Sequence, residues 1–247
     1  MRKGGEGKKS ALTNAIYLNL KEMISSGYLK PYETLNLVKL AKHFKVSVTP
    51  VNSALSVLSE EGLVSKEPNK SFVVAAMSME EIQEIWLIGA LQEGMAAYLA
   101  TSRITSQEIR HLERVLRNTK ETKVPDDILK LKELNKDFHG TIIRACGNRE
   151  LLALTKEYSW KLYRYYYLVL SLPGAFSEFV EMHKLIFENL KKKDPRGTRD
   201  AMEKHIISAG EKVINYLKIG LLQPESCTER TWRGSFALSS APPRQKS

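Results

Sequence analysis

The chain has 247 residues, of which 43% are apolar and 27% charged, and carries a net charge of +10. That length supplies two ordinary cores, and the balance of apolar to charged residues is that of a globular chain, not a disordered one. No run reaches the ~18 apolar residues of a membrane span, and no apolar stretch follows the basic MRKGGEGKKS as a secretory signal requires. Two cysteines, Cys146 and Cys227, are too few for a disulfide framework or a thiolate zinc site, so a reducing cytoplasm is the expected location.

A first helix is expected over roughly Ser10–Ser26, with Leu12, Ile16, Leu20 and Met23 on one side and Gly27 as its stop. Leu37, Leu40, Ala41 and Phe44 then recur at i, i+3, i+4, i+7, one face of a short helix. After a tight turn Ser47 stands at an N-cap position, and Pro50 falls in the first turn of the next helix, where its missing N–H costs nothing. Val51, Ala54, Leu55 and Leu58 give that helix a buried stripe, and Gly62 ends it. Two β-prone runs, Leu63–Lys66 and Ser71–Val74, flank the turn Glu67-Pro68-Asn69-Lys70 and read as a small wing. Helix, helix-turn-helix and wing together make a winged-helix domain over residues 1–76. Eleven Lys/Arg against six Asp/Glu give this part +5, whereas residues 77–220 hold twenty-three against twenty, or +3. The positive excess is densest where phosphate neutralisation would use it, although a solvated basic face would count the same way.

GYLKPYETLNLVKLAKHFKVSVTPVNSALSVLSEEGLV resembles the GntR family of bacterial transcription regulators, whose pattern runs G-x-L-x-P-G-x-x-L, L-A, S-R-T-P-V-R-E-A-L, L-x-x-E-G-L-V. The resemblance implies a regulator that binds a double-stranded operator. Base-edge contacts come from the N-terminal residues of the recognition helix, here Ser47, Val48, Thr49, Asn52 and Ser53, with Lys39, Lys42 and Lys70 as phosphate contacts. His43 and Lys45 are further candidate phosphate contacts. The family usually carries arginine where this chain has Val48 and Asn52; valine can touch only a thymine methyl and asparagine pairs best with adenine, which points to an A·T-richer operator or weaker binding. Tyr32 replaces the glycine after the family's proline, and the wing lacks its usual glycine.

From Met77 onward helical periods succeed one another, with helices expected near 78–101, 105–121, 126–146, 148–171, 175–193 and 197–218. Ser78 with Glu81 and Thr105 with Glu108 form capping boxes, and Gly147, Pro173-Gly174 and Asp194-Pro195 act as breaks. Six sequential helices on short loops argue for an antiparallel all-α bundle over residues 77–220, so the fold class is mainly α. Polar residues interrupt its apolar stripes at Asn135 and His139, at His183 among Phe176, Phe179, Val180, Phe187 and Leu190, and at His205 among Ala201, Met202, Ala209 and Val213. One such histidine alone is most simply a buried, hydrogen-bonded side chain; three from three helices favour a metal site. His111 reads as a surface residue and Cys146 as a small buried hydrophobe. Trp160, Tyr163 and Tyr167, in a helix that also holds Tyr165 and Tyr166, read as core or dimer packing before pocket lining, and Lys191-Lys192-Lys193 as cations at a helix C-terminus. Residues 221–247, with Trp232 and Phe236, read as a disordered tail.

LNKDFHGTIIRACGNRELL, VEMHKLIFENL and DPRGTRDAMEKHI are similar to the FCD ligand-binding domain of the family's FadR-type branch. The resemblance implies a divalent metal (Zn, Ni or Mn) on Asn135, His139, His183 and His205, with asparagine where an acid is usual, and a small anionic effector such as a carboxylate at an open position of that metal. The family's arginine near Gly89, an anion partner, is absent. The leading expectation is a homodimeric, cytoplasmic repressor with no membrane association and no enzymatic activity. Its alternatives are a metal-dependent enzyme, opposed by Asp137 pointing away from the ligand face, and a sensor without DNA binding.

Overall fold

The computed structural model describes residues 3–25, 27–66, 71–124, 126–170 and 174–219, with the side chains of residues 3–9, 129, 160 and 162–169 outside that description. The wing turn with Lys70, the aromatic cluster from Trp160 to Tyr167 and the expected tail therefore lie outside the described residues or side chains.

In chain order the elements are α1 (Lys3–Ser25), β1 (Thr34–Leu35), α2 (Leu37–Phe44), α3 (Val48–Glu60), β2 (Val64–Lys66) and β3 (Phe72–Val74). Then come α4 (Met79–Arg103), α5 (Ser106–Lys120), α6 (Ile128–Ala145), α7 (Arg149–Leu170), α8 (Ala175–Lys191) and α9 (Pro195–Lys218). The helix-turn-helix is set by local chemistry. Asn36 caps α2 by accepting from the N–H groups of Val38 and Lys39, each at 3.0 Å, and the turn passes through Lys45 at φ 55° as Val46 N–H returns to Ala41 O at 3.0 Å. Ser47 occupies the N-cap position of α3 without a side-chain capping bond, and Gly62, at φ +72°, lets the chain leave α3 for β2.

The sheet has three antiparallel strands in the order β1-β3-β2, with Leu35 opposite Phe72 and Ser65 opposite Val73. The wing's two runs were expected; β1 was not, because two residues are too short to show a period. Beneath the sheet Ile16, Leu20, Ile24, Leu55, Leu58 and Phe72 belong to one apolar core. Leu12 was expected on that face but is 42% exposed: it stands a full turn of α1 beyond Ile16, past the edge of the core.

Both capping boxes expected in the bundle are formed, Ser78 with Glu81 on α4 and Thr105 with Glu108 on α5. Asp194 caps α9 through Gly197 N–H with Pro195 in its first turn, so the expected break is itself the helix start. α4 lies along α9, close enough that a Cβ on Gly210 would sit 2.7 Å from Trp86 Cγ. Lys193 does more than favour a helix dipole: at φ 56° it turns its Nζ onto Thr101 O and Ile104 O, each at 3.2 Å, satisfying carbonyls at the C-terminal end of α4. Cys146 is buried in the bundle core, as its small size implies.

Candidate metal centre and nucleic-acid interface

Four helices bring five polar side chains into the middle of the bundle: Glu93 from α4, Asn135 and His139 from α6, His183 from α8 and His205 from α9, all buried. Each helix is apolar on the inward face, so these groups are carried in by residues packed around them. Phe138 stacks on His183 with ring centroids 4.2 Å apart, and Phe179 lies 4.1 Å from the same ring. His139 Nε2 is 3.1 Å from His183 Nε2, which is 3.2 Å from His205 Nε2.

Burial pulls the imidazoles of His183 and His205 well below the ordinary histidine range; the neighbouring histidines push the same way, and for His205 so does Lys212. Both are therefore neutral at neutral pH, the form in which imidazole binds a metal. His139 Nδ1 lies 2.6 Å from Glu93 Oε2. An N–H donated there leaves Nε2 of His139 as a lone pair aimed at His183. A neutral His183 ring either donates or accepts at Nε2, so at most one of the two Nε2–Nε2 contacts is a hydrogen bond of ordinary geometry. The donor set suits a cation: three nitrogen ligands at ~2.0–2.1 Å around one tetrahedral ion stand about 3.3 Å apart, close to the 3.1 and 3.2 Å observed. Glu93 Oε1, also buried, accepts no hydrogen bond from a described residue. A buried carboxylate behind a histidine ring is the arrangement that orients metal-ligating imidazoles.

Sequence reading missed Glu93. Its signal is a carboxylate at the centre of the row Ala90, Glu93, Gly94, Ala97, all buried at i, i+3, i+4, i+7 on α4. Gly89, on the same helix, is buried and brings no cation. Asp137 points outward as expected, 2.8 Å from His111 Nε2, and accepts from the Thr141 hydroxyl at 3.4 Å. His205 is among the residues lining a shallow cleft between α8 and α9 with room for about one water molecule.

At the other end of the molecule α3 turns Val51, Ala54, Leu55 and Leu58 inward. Val48, at 40% exposure, stays outside with Thr49 and Ser53, while Asn52 is half-buried. Lys39, Lys42 and Ser47 are exposed beside them. His43 lies edge-on to Phe44, with centroids 5.0 Å apart. This face offers hydroxyls, an amide and ammonium groups from a short helix preceded by a tight turn, the form of a recognition surface for the major groove. Among the described residues no helix is long and apolar enough to cross a membrane.

Residues 12–74 match the family described as bacterial regulatory proteins, gntR family, and residues 88–208 match the FCD domain. The chain is 27% identical over 205 residues to the HTH-type transcriptional regulator YdhC of Bacillus subtilis, covering 82% of this chain and 89% of that one. It is 28% identical over 202 residues to the HTH-type transcriptional regulator McbR of Escherichia coli, covering 80% and 90%. With the HTH-type transcriptional repressor GlaR of E. coli it shares 25% identity over 200 residues, covering 78% and 91%. The solved structure of E. coli McbR/YncC superposes with a TM-score of 0.73 at 24% identity over 84% of this chain and 98% of that one, a likeness of fold.

Proposed function

Because this chain belongs to the GntR family and carries an FCD domain behind its helix-turn-helix, we propose that it is a transcriptional repressor released or engaged by a small carboxylate bound at a divalent metal in the bundle. Regulation of transcription is the activity named for its relatives, and GlaR is named a repressor. His139, His183 and His205 hold the metal through Nε2, and the Asn135 amide oxygen completes the protein's share. An amide in place of a carboxylate leaves the site one negative charge poorer, which weakens metal binding and strengthens the pull on an anion. Nitrogen-rich ligation suits Zn or Ni better than Mn. A bound metal supplies Lewis acidity at an open coordination position. The chain's own residues hold the rings of His183 and His205 neutral, place the Glu93 carboxylate against Nδ1 of His139 and exclude water with Phe138 and Phe179. The observation that carries the reading is the convergence of three Nε2 atoms inside an apolar bundle.

Lys39 and Lys42 anchor phosphates, while Val48, Thr49, Asn52 and Ser53 face base edges with Ser47 at the entry to the groove. Two copies match a two-fold operator. The exposed row Leu87, Ile88, Leu91, Met95 and Tyr98 along α4 is an apolar surface that a homodimer would cover. Signal has a short path between the domains: α1 meets α7, and Glu22 of α1 acts on Lys132 of α6, whose ammonium burial lowers to about 8. A reducing cytoplasm suits a DNA-binding protein whose Cys146 is buried and free.

Metal analysis of the purified chain tests the centre. His183→Ala and His205→Ala should each remove the bound metal and abolish the rise in thermal stability on adding Zn2+; full metal content in both would refute the assignment. Selection from a random DNA pool should enrich a palindrome, and no enrichment with or without metal would refute the repressor.

A further inference from the structure

Most of α4 is covered. Trp86, Ala90, Ala97 and Ala100 belong to the bundle core, and α9 runs antiparallel beside the helix, with Trp86 against Gly210 and Glu203 against Gly94. The remaining side is open and apolar: Leu87 and Leu91 are each 55% exposed, and Ile88, Met95 and Tyr98 are exposed with them. Between Glu84 and Arg103 this side carries no charge, since Glu93 is buried. Ile207 of α9, exposed and placed between the two α4–α9 contacts, widens the surface to a second helix. Among the described side chains no other bundle helix exposes more than two large apolar residues. A contiguous apolar row of this kind marks an interaction surface.

The order of residues in the row says what covers it, because the row is symmetric about its own centre. Leu87 and Met95 stand four residues to either side of Leu91, and Glu84 and Tyr98 stand seven. Those spacings are about one and two helical turns, so all five positions share one face. When two copies of such a helix pair antiparallel around a two-fold axis at Leu91, each residue meets the one equally far beyond the axis. Leu91 then packs on Leu91 of the partner subunit, Leu87 packs on Met95, and the Tyr98 hydroxyl reaches the Glu84 carboxylate. Apolar meets apolar in the middle, and at both ends a donor meets an acceptor. A parallel pairing would instead set Glu84 against Glu84, an unfavourable like-charge contact.

We propose that two copies of this chain associate by laying α4 antiparallel on α4, with Leu91 on the two-fold axis and Tyr98 of each copy bonded to Glu84 of the other. The inference rests on the homodimer reading above and gives that dimer its contact and its direction. Glu93, the carboxylate behind His139, projects from the covered side of the same helix. The helix that meets the partner is therefore also one wall of the metal centre.

Sedimentation of the full chain, together with disulfide trapping, tests this. Leu91→Arg sets like charges together on the axis and should raise the dimer dissociation constant by about 100-fold or more. Leu91 lies outside the core of the single copy, so the far-ultraviolet circular dichroism of the variant should match wild type. Tyr98→Phe should weaken the dimer by about three- to tenfold. For trapping, Cys227→Ser leaves only the buried Cys146. In that background Leu91→Cys should cross-link to its own copy on oxidation. Leu87→Cys and Met95→Cys, each ~12 Å along the axis from its own copy, should cross-link only when the two variants are mixed. Cross-linking of Leu87→Cys and Met95→Cys each to itself would overturn the antiparallel arrangement. A Leu91→Arg chain that stays dimeric, with no trapping at Leu91→Cys, would overturn the interface and leave the homodimer reading standing. A wild-type chain that sediments as a monomer would remove both.

Discussion

The winged helix and the bundle solve the burial problem in opposite ways. Among the described residues, the buried side chains of the winged helix's core are apolar, from Ile16 to Val74. The bundle buries Glu93, Asn135, His139, His183 and His205 among its apolar residues. Burying polar groups is unfavourable unless they find partners, so a bundle that concentrates them at one point gives up stability there for another purpose. On the function proposed above, the winged helix would work with its surface and the bundle with its interior.

Acid should separate the two most strongly. His183 and His205 have folded-state values well below 6.5, so below that pH the unfolded chain binds two protons that the folded chain does not. Stability is then fully present above about pH 6.5 and falls as pH drops, by up to about 2.7 kcal/mol per pH unit for two groups. Urea denaturation of chelator-treated protein at pH 7.5 and 5.5 measures this. His183→Phe, which keeps a ring between Phe138 and Phe179, should halve the slope; an unchanged slope would mean that the polar centre is not the acid-sensitive part.

Glu93→Gln keeps the shape and removes the charge behind His139. It should weaken Zn2+ binding by about 10- to 100-fold, read by competition with a chelator, while leaving DNA affinity in the absence of effector near wild type. Asn52→Ala tests the surface. It should relax preference at one operator position by about 1–3 kcal/mol, whereas a uniform loss across sequences would reassign Asn52 to the phosphates. The smallest effect is expected at Tyr32, which is 63% exposed and holds φ 65°, a left-handed conformation that a non-glycine residue adopts at a cost. Tyr32→Gly should raise stability by up to about 1 kcal/mol; a loss would show that the aromatic ring has a contact worth more than the strain.

Legibility followed the same division. The helix-turn-helix was readable because each of its features is local: the stripe Leu40, Ala41, Phe44, the cap position at Ser47, the stop at Gly62. β1 was not, since its two residues gain their strand character only by pairing with β3. In the bundle the capping boxes and the placement of His139, His183 and His205 on apolar faces could be read along the chain. The role of Glu93 could not, because a glutamate between Ala90 and Ala97 becomes a histidine's partner only when α6 is laid against α4. Lys193 is similar: it closes one helix in sequence and caps a different one in space. The expectation for Leu12 failed because periodicity says which side of α1 is apolar and not where the core stops.

The sequence by itself determined the order of the helices and of the wing strands, the winged-helix and bundle classes, the exposed face of α3 and the histidines that face inward. These follow from local backbone chemistry and the periods of single helices. Only the tertiary structure decided that three Nε2 atoms converge, that Glu93 stands behind one of them, and that Glu178 of α8 pairs with Lys212 of α9. Periodicity assigns a residue to a face of its own helix, whereas convergence depends on which faces the packing of several helices brings together.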